Sequence, residues 1–78
     1  MTYEALRDAM SAKPFRPFKL RLADGDRLSV PHPEFCHVPP RISRTFAVWN
    51  ARGGYTLVDL MVVSAIEFGR NGRQRKAG

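Results

Sequence analysis

Seventy-eight residues make one small domain at most, burying only about 60% of the surface its unfolded chain exposes and leaving little room for a deep cleft. The single cysteine rules out an internal disulfide, and the longest apolar run, LMVVSAI, falls well short of the roughly 18 residues of a membrane span. The net charge of +6 is local: Arg70, Arg73, Arg75 and Lys76 lie in the acid-free stretch 69–78, and without them nine basic residues face seven acidic ones. A single domain over residues 1–68 with a basic, Gly-rich flexible tail over 69–78 is expected. Glu4, Arg7 and Asp8 stand where a signal peptide needs an apolar core, so the expected compartment is the cytoplasm.

Residues 2–12 predict a short helix. Thr2 supplies the N-cap, Glu4 sits in the first turn where the helix dipole favours an acid, and Tyr3, Leu6 and Met10 recur at helical spacing. Lys13 precedes Pro14, which ends the element. A helix this short is marginal alone and must dock its apolar stripe. After KPFRPF the period changes to two: Phe18, Leu20 and Leu22 alternate with Lys19 and Arg21, and Leu28 and Val30 with Arg27 and Ser29. A two-residue Asp24-Gly25 turn sets Arg21 opposite Leu28 and so puts charge on the apolar face. A three-residue loop, Ala23-Asp24-Gly25, pairs Leu20 with Leu28 and Phe18 with Val30, with Gly25 in the left-handed position.

Pro31 and Pro33 lack amide donors, so VPHPEF marks a place where a strand bends or leaves the sheet. Thr45–Asn50 and Tyr55–Leu60 predict two further strands. The intervening Ala51-Arg52-Gly53 repeats the earlier loop and sets Trp49 opposite Tyr55 and Ala47 opposite Leu57. MVVSAIEF predicts a last strand, apolar on both faces at its start, and all five phenylalanines are expected in the core. The order is mainly β: a short N-terminal α-helix followed by about five antiparallel strands, expected to close into a small SH3/Sm-like barrel that removes its own edges.

The stretch KPFRPFKLRLADGDRLSVPHPEF, followed by LVDLMVVSAIEF, resembles a family of short bacterial proteins to which no activity is assigned. The resemblance covers residues 2–68 and supplies no site residues. The element order is also similar to that of the Sm/Hfq-like barrels, which bind RNA as rings. That likeness is one of topology, and DLMVVS stands where an Sm Arg-Gly turn would be, so no RNA-contacting residue carries over.

His32, Glu34, Cys36 and His37 include three metal-ligand types within six residues. If the segment is extended, His32, Glu34 and Cys36 share one side, too close together to wrap an ion without a distant fourth ligand. The simpler assignment makes Cys36 a small core residue and His32 a bend residue, with no metal or cofactor. As a nucleophile Cys36 lacks a base, since His37 points to the opposite face in a strand. The expected function is therefore that of a non-enzymatic binding or assembly module. Runs such as Leu57-Val58 and Leu60-Met61-Val62-Val63 predict a homo-oligomer. The alternative is weak, sequence-independent nucleic-acid binding through Lys19, Arg21, Trp49 and Tyr55 on the sheet and, mainly, Arg70, Arg73, Arg75 and Lys76 in the tail.

Overall fold

The computed structural model describes residues 1–69. Its elements are α1 (Tyr3–Ser11), β1 (Phe18–Leu22), β2 (Arg27–Val30), β3 (Cys36–His37), β4 (Thr45–Trp49), β5 (Tyr55–Asp59) and β6 (Val63–Phe68), with 3-10 turns at Pro33–Phe35 and Leu60–Val62. Two three-stranded antiparallel sheets result, one ordered β2-β1-β6 and the other β3-β4-β5. None of these elements is a helix long and apolar enough to cross a membrane.

Helix α1 starts as its sequence dictates: the Thr2 hydroxyl accepts from the Ala5 amide at 3.1 Å, and Glu4 lies in the first turn. Leu6 and Ala9 are buried, while Tyr3 and Met10 pack half-buried on either side. The Tyr3 hydroxyl donates to the Pro39 carbonyl at 2.6 Å and ties the helix to the loop before β4. Alternation buries Phe18, Leu20 and Val30 on one sheet and Cys36, Phe46, Val48 and Val58 on the other, so the core is the space between them.

Both hairpins take the expected register. Phe18 pairs with Val30 and Leu20 with Leu28; Ala47 pairs with Leu57 and Trp49 with Tyr55. In each, the third loop residue is a glycine at positive φ, 96° at Gly25 and 93° at Gly53. The Asp24 carboxylate accepts from the Asp26 amide at 2.9 Å, and the Asn50 side-chain oxygen accepts from the Arg52 and Gly54 amides at 2.8 and 3.1 Å. These short polar side chains set the turns before any packing.

Three expectations are corrected. The sheets do not close into a barrel: Pro31 follows β2 at once, Pro33 opens a 3-10 turn, and β3 is only two residues long. Without those amide donors the chain cannot run as one bent strand from the first sheet into the second. The last strand starts at Val63 rather than Met61. The Asp59 carboxylate accepts from the Met61 amide at 2.8 Å and holds Leu60–Val62 in a turn, burying Leu60 while Met61 stays 74% exposed. Finally, Phe18 and Phe46 are buried and Phe15 and Phe35 half-buried, but Phe68 is 44% exposed because it ends β6 at the rim.

Candidate binding surface

The outward face of β4 and β5 is where the fold leaves large apolar side chains uncovered. Alternation sends Phe46, Val48 and Val58 inward, so Ala47, Trp49, Tyr55 and Leu57 face out. The Trp49 and Tyr55 rings lie with centroids 4.7 Å apart at 51°, and Leu57 stands beside them, 66% exposed. The two strands expose this set because their inward residues already fill the core.

Lys19, Arg21 and Arg27 project from the outward side of the other sheet, as their parity requires. Glu67 lies directly opposite Lys19 on β6. The Arg27 guanidinium donates to it at 2.8 and 3.5 Å, and Arg21 approaches at 3.6 Å. The Arg27 hydrogen bond, followed by the positive charges of Arg27, Arg21 and Lys19, holds the Glu67 carboxyl below its ordinary range. One anion thus sits amid three cations. The sequence alone does not single out Glu67, which lies far along the chain from these cations. Period-two counting from Phe68 puts Glu67 on the outward face, but only the β1–β6 register puts it among these cations. Arg44 is likewise paired, with Asp59 at 3.0 Å, and the Arg16 guanidinium lies 4.7 Å from the Phe68 ring centroid.

Two grooves flank β2. One, of about 320 Å³, is lined by Lys19, Arg27, Ser29, Glu67 and Phe68 on the outer side of the first sheet. The second, of about 370 Å³, is the gap where the sheets fail to close, lined by Leu28, Phe35, Val48, Thr56, Trp49 and Arg27. Of the sequence-predicted residues, Lys19 lines the first groove and Trp49 the second, with Arg27 common to both; Arg21 and Tyr55 line neither. Arg70, Arg73, Arg75 and Lys76 lie outside the described residues.

The His32–His37 segment is not a shared ligand face. Pro33–Phe35 is a turn rather than extended chain, which separates His32 and Glu34 from Cys36. Among the described residues no three His, Cys, Asp or Glu side chains converge on a metal-sized site. Cys36 faces the core, and burial pushes its thiol up to about 11. His37 is exposed. No family model, curated protein or solved structure matches this chain.

Proposed function

We propose that this protein is a non-enzymatic binding and assembly module that makes protein contacts, self-association first among them, through the exposed face of β4 and β5. The observation that carries this reading is the adjacency of Trp49, Tyr55 and Leu57 on one outward face, with Ala47 of β4 opposite Leu57. Aromatic side chains offer large contact area at low entropic cost, and a contiguous apolar group is a stronger sign of an interface than scattered exposed residues. In architecture we read the fold as an opened relative of the small SH3/Sm-like barrel. Supporting that, β1 sits between β2 and β6 while β4 sits between β3 and β5. The compartment assigned on this reading is the cytoplasm, where a lone free cysteine stays reduced.

Nucleic-acid binding is the second reading, favoured by Trp49 and Arg27 both lining one groove, residue types that stack on bases and contact phosphates respectively. Glu67 weighs against it by holding Arg27 and lowering the local positive potential.

Sedimentation velocity from micromolar to millimolar protein tests the first reading. Association that weakens in Trp49→Ala and Tyr55→Ala is the expected result, and a monomer throughout refutes self-association. Titration of single-stranded RNA into full-length protein, followed by the fluorescence of the sole tryptophan, tests the second. Salt-resistant binding that quenches Trp49 would make the groove a recognition site and displace the first reading.

A further inference from the structure

Along β5 the backbone groups alternate in direction. The Asn50 amide donates to the Gly54 carbonyl at 2.8 Å at one end of the hairpin, and the Leu60 amide donates to the Arg44 carbonyl at 2.6 Å at the other. With the register between them unbroken, Thr56 and Val58 turn their N–H and C=O groups toward β4, while Tyr55, Leu57 and Asp59 turn theirs away. Among the described residues nothing pairs with that outer side, since β5 is the last strand of its sheet.

The other sheet edges carry features that discourage pairing. Strand β2 runs directly into Pro31, β3 is two residues long, and the amino terminus lies against the start of β6, donating to the Val63 carbonyl at 3.1 Å. Natural edges are blunted by proline, lysine, bulges or brevity. Strand β5, Tyr-Thr-Leu-Val-Asp, has five residues, a regular register and none of these.

We infer that β5 adds antiparallel to the β5 of a second copy of this chain, in a register centred on Leu57. In that register Leu57 meets its counterpart as a hydrogen-bonded pair, and Tyr55 meets Asp59 on either side. Every outward N–H and C=O of Tyr55, Leu57 and Asp59 then gains a partner, on both strands. The sequence fits itself here: Leu57 meets leucine, Thr56 meets valine, and the strand's one acid, already paired with Arg44 at 3.0 Å, never opposes another acid. The outward face becomes one apolar row, Ala47 and Leu57 followed by their counterparts, flanked by the Trp49–Tyr55 pairs. A two-fold interface of this kind closes on itself and stops at a dimer. The inference rests on the proposed self-association and says which edge carries it.

Three measurements on the full chain test it. Residue-resolved amide exchange is expected to show Thr56 and Val58 protected at every concentration, and Tyr55, Leu57 and Asp59 protected only in concentrated protein. Leu57→Cys is expected to form a covalent dimer under a mild oxidant, because a hydrogen-bonded antiparallel pair sets its Cα atoms about 5.5 Å apart, within the span of a disulfide. Cys36 does not compete, being buried. Leu57→Lys puts two ammonium groups face to face and is expected to weaken dimerisation by about tenfold or more, with the monomer's circular dichroism unchanged because Leu57 is 66% exposed.

A monomer at millimolar concentration overturns both this inference and the self-association reading. A dimer that ignores Leu57→Lys, forms no cross-link through Leu57→Cys and leaves Tyr55, Leu57 and Asp59 exchanging freely keeps self-association but overturns the β5 edge. The same holds for a head-to-tail ring or filament, in which two copies of position 57 never meet. Protection of those three amides already in dilute protein would assign the edge to an occupant within the chain and overturn the inference.

Discussion

Phe18→Ala should bring this protein close to its unfolding midpoint. Phe18 is 2% exposed and lies in the middle strand of its sheet, paired to Val30 on one side and Phe68 on the other, with the Phe15 and Phe68 ring centroids at 5.8 and 6.0 Å. Losing the buried ring forfeits roughly 2–3 kcal/mol of transfer free energy. The cavity adds a further cost of about 1–2 kcal/mol, because β1 is hydrogen-bonded on both sides and cannot collapse into the space. The total, about 3–5 kcal/mol, compares with an entire stability of roughly 4–12 kcal/mol for a chain of this length. Urea denaturation followed by Trp49 fluorescence is the assay. With a slope of about 1 kcal/mol/M, the midpoint should fall by several molar, and Phe18→Leu should shift it far less. A loss below about 1.5 kcal/mol at unchanged slope would show that the space between the sheets is not the principal core.

Gly25→Ala and Gly53→Ala should each cost about 1 kcal/mol, read from the same urea curves; nothing lies within 4 Å of an added Cβ, so the penalty is conformational and Asn should be better tolerated than Ala at both sites. Acid should destabilise the fold through Glu67 and Asp59, whose carboxyls are held below their ordinary range by the Arg27 hydrogen bond and by the Met61 amide with Arg44 respectively. Because the folded values lie below the unfolded ones of about 4, this contribution is complete above about pH 5 and is lost as pH falls through the folded values. Glu67→Gln should flatten the fall in urea midpoint between pH 5 and 3, and an unchanged slope would remove Glu67 from the account. Cys36, raised to about 11, should resist alkylation at pH 8 except at the rate of unfolding, and its contribution should be lost as pH rises from about 8.5, where the unfolded thiol ionises, toward 11. Labelling as fast in buffer as in urea would place the thiol outside the core.

The parts of the fold that could be read from sequence are those decided within a few residues. Gly25 and Gly53 fix where two hairpins turn, and the parity of Leu20 against Leu28, or Trp49 against Tyr55, then fixes register, since a slip of one residue would put charge on the buried face. Thr2 and Pro14 bound the helix by equally local chemistry. The remaining features lie outside such local reach. Glu67 joins the cations only because β6 lies beside β1, a pairing across most of the chain. Met61 is kept out of the last strand by its amide's bond to the Asp59 carboxylate, which overrides a strand-like run of apolar residues, and Phe68 is exposed because β6 ends with it. The grooves were invisible too, because a gap between sheets belongs to no single segment.

Barrel closure failed as an expectation for a reason already present in VPHPEF, and the consequence reaches the proposed function. A small sheet protein must do something with its edges, and full closure is the only device that removes them. Pro31 and Pro33 deny this chain that solution by ending β2 before it can bend across to the second sheet. They also make β2 a poor strand for adding a neighbour. The same residues that open the groove beside Trp49 therefore leave the second sheet, among the described residues, with an unpaired far edge, and that edge is β5. Along β5 the exposed backbone groups of Tyr55, Leu57 and Asp59 coincide with the exposed side chains of Tyr55 and Leu57, because the residues whose amides point away from β4 are also those whose side chains point away from the core. Edge and face thus share the same residues, Tyr55 and Leu57. A contact that satisfies one covers the other, so the hydrogen-bond ladder and the apolar face should act as a single interface rather than as two competing surfaces.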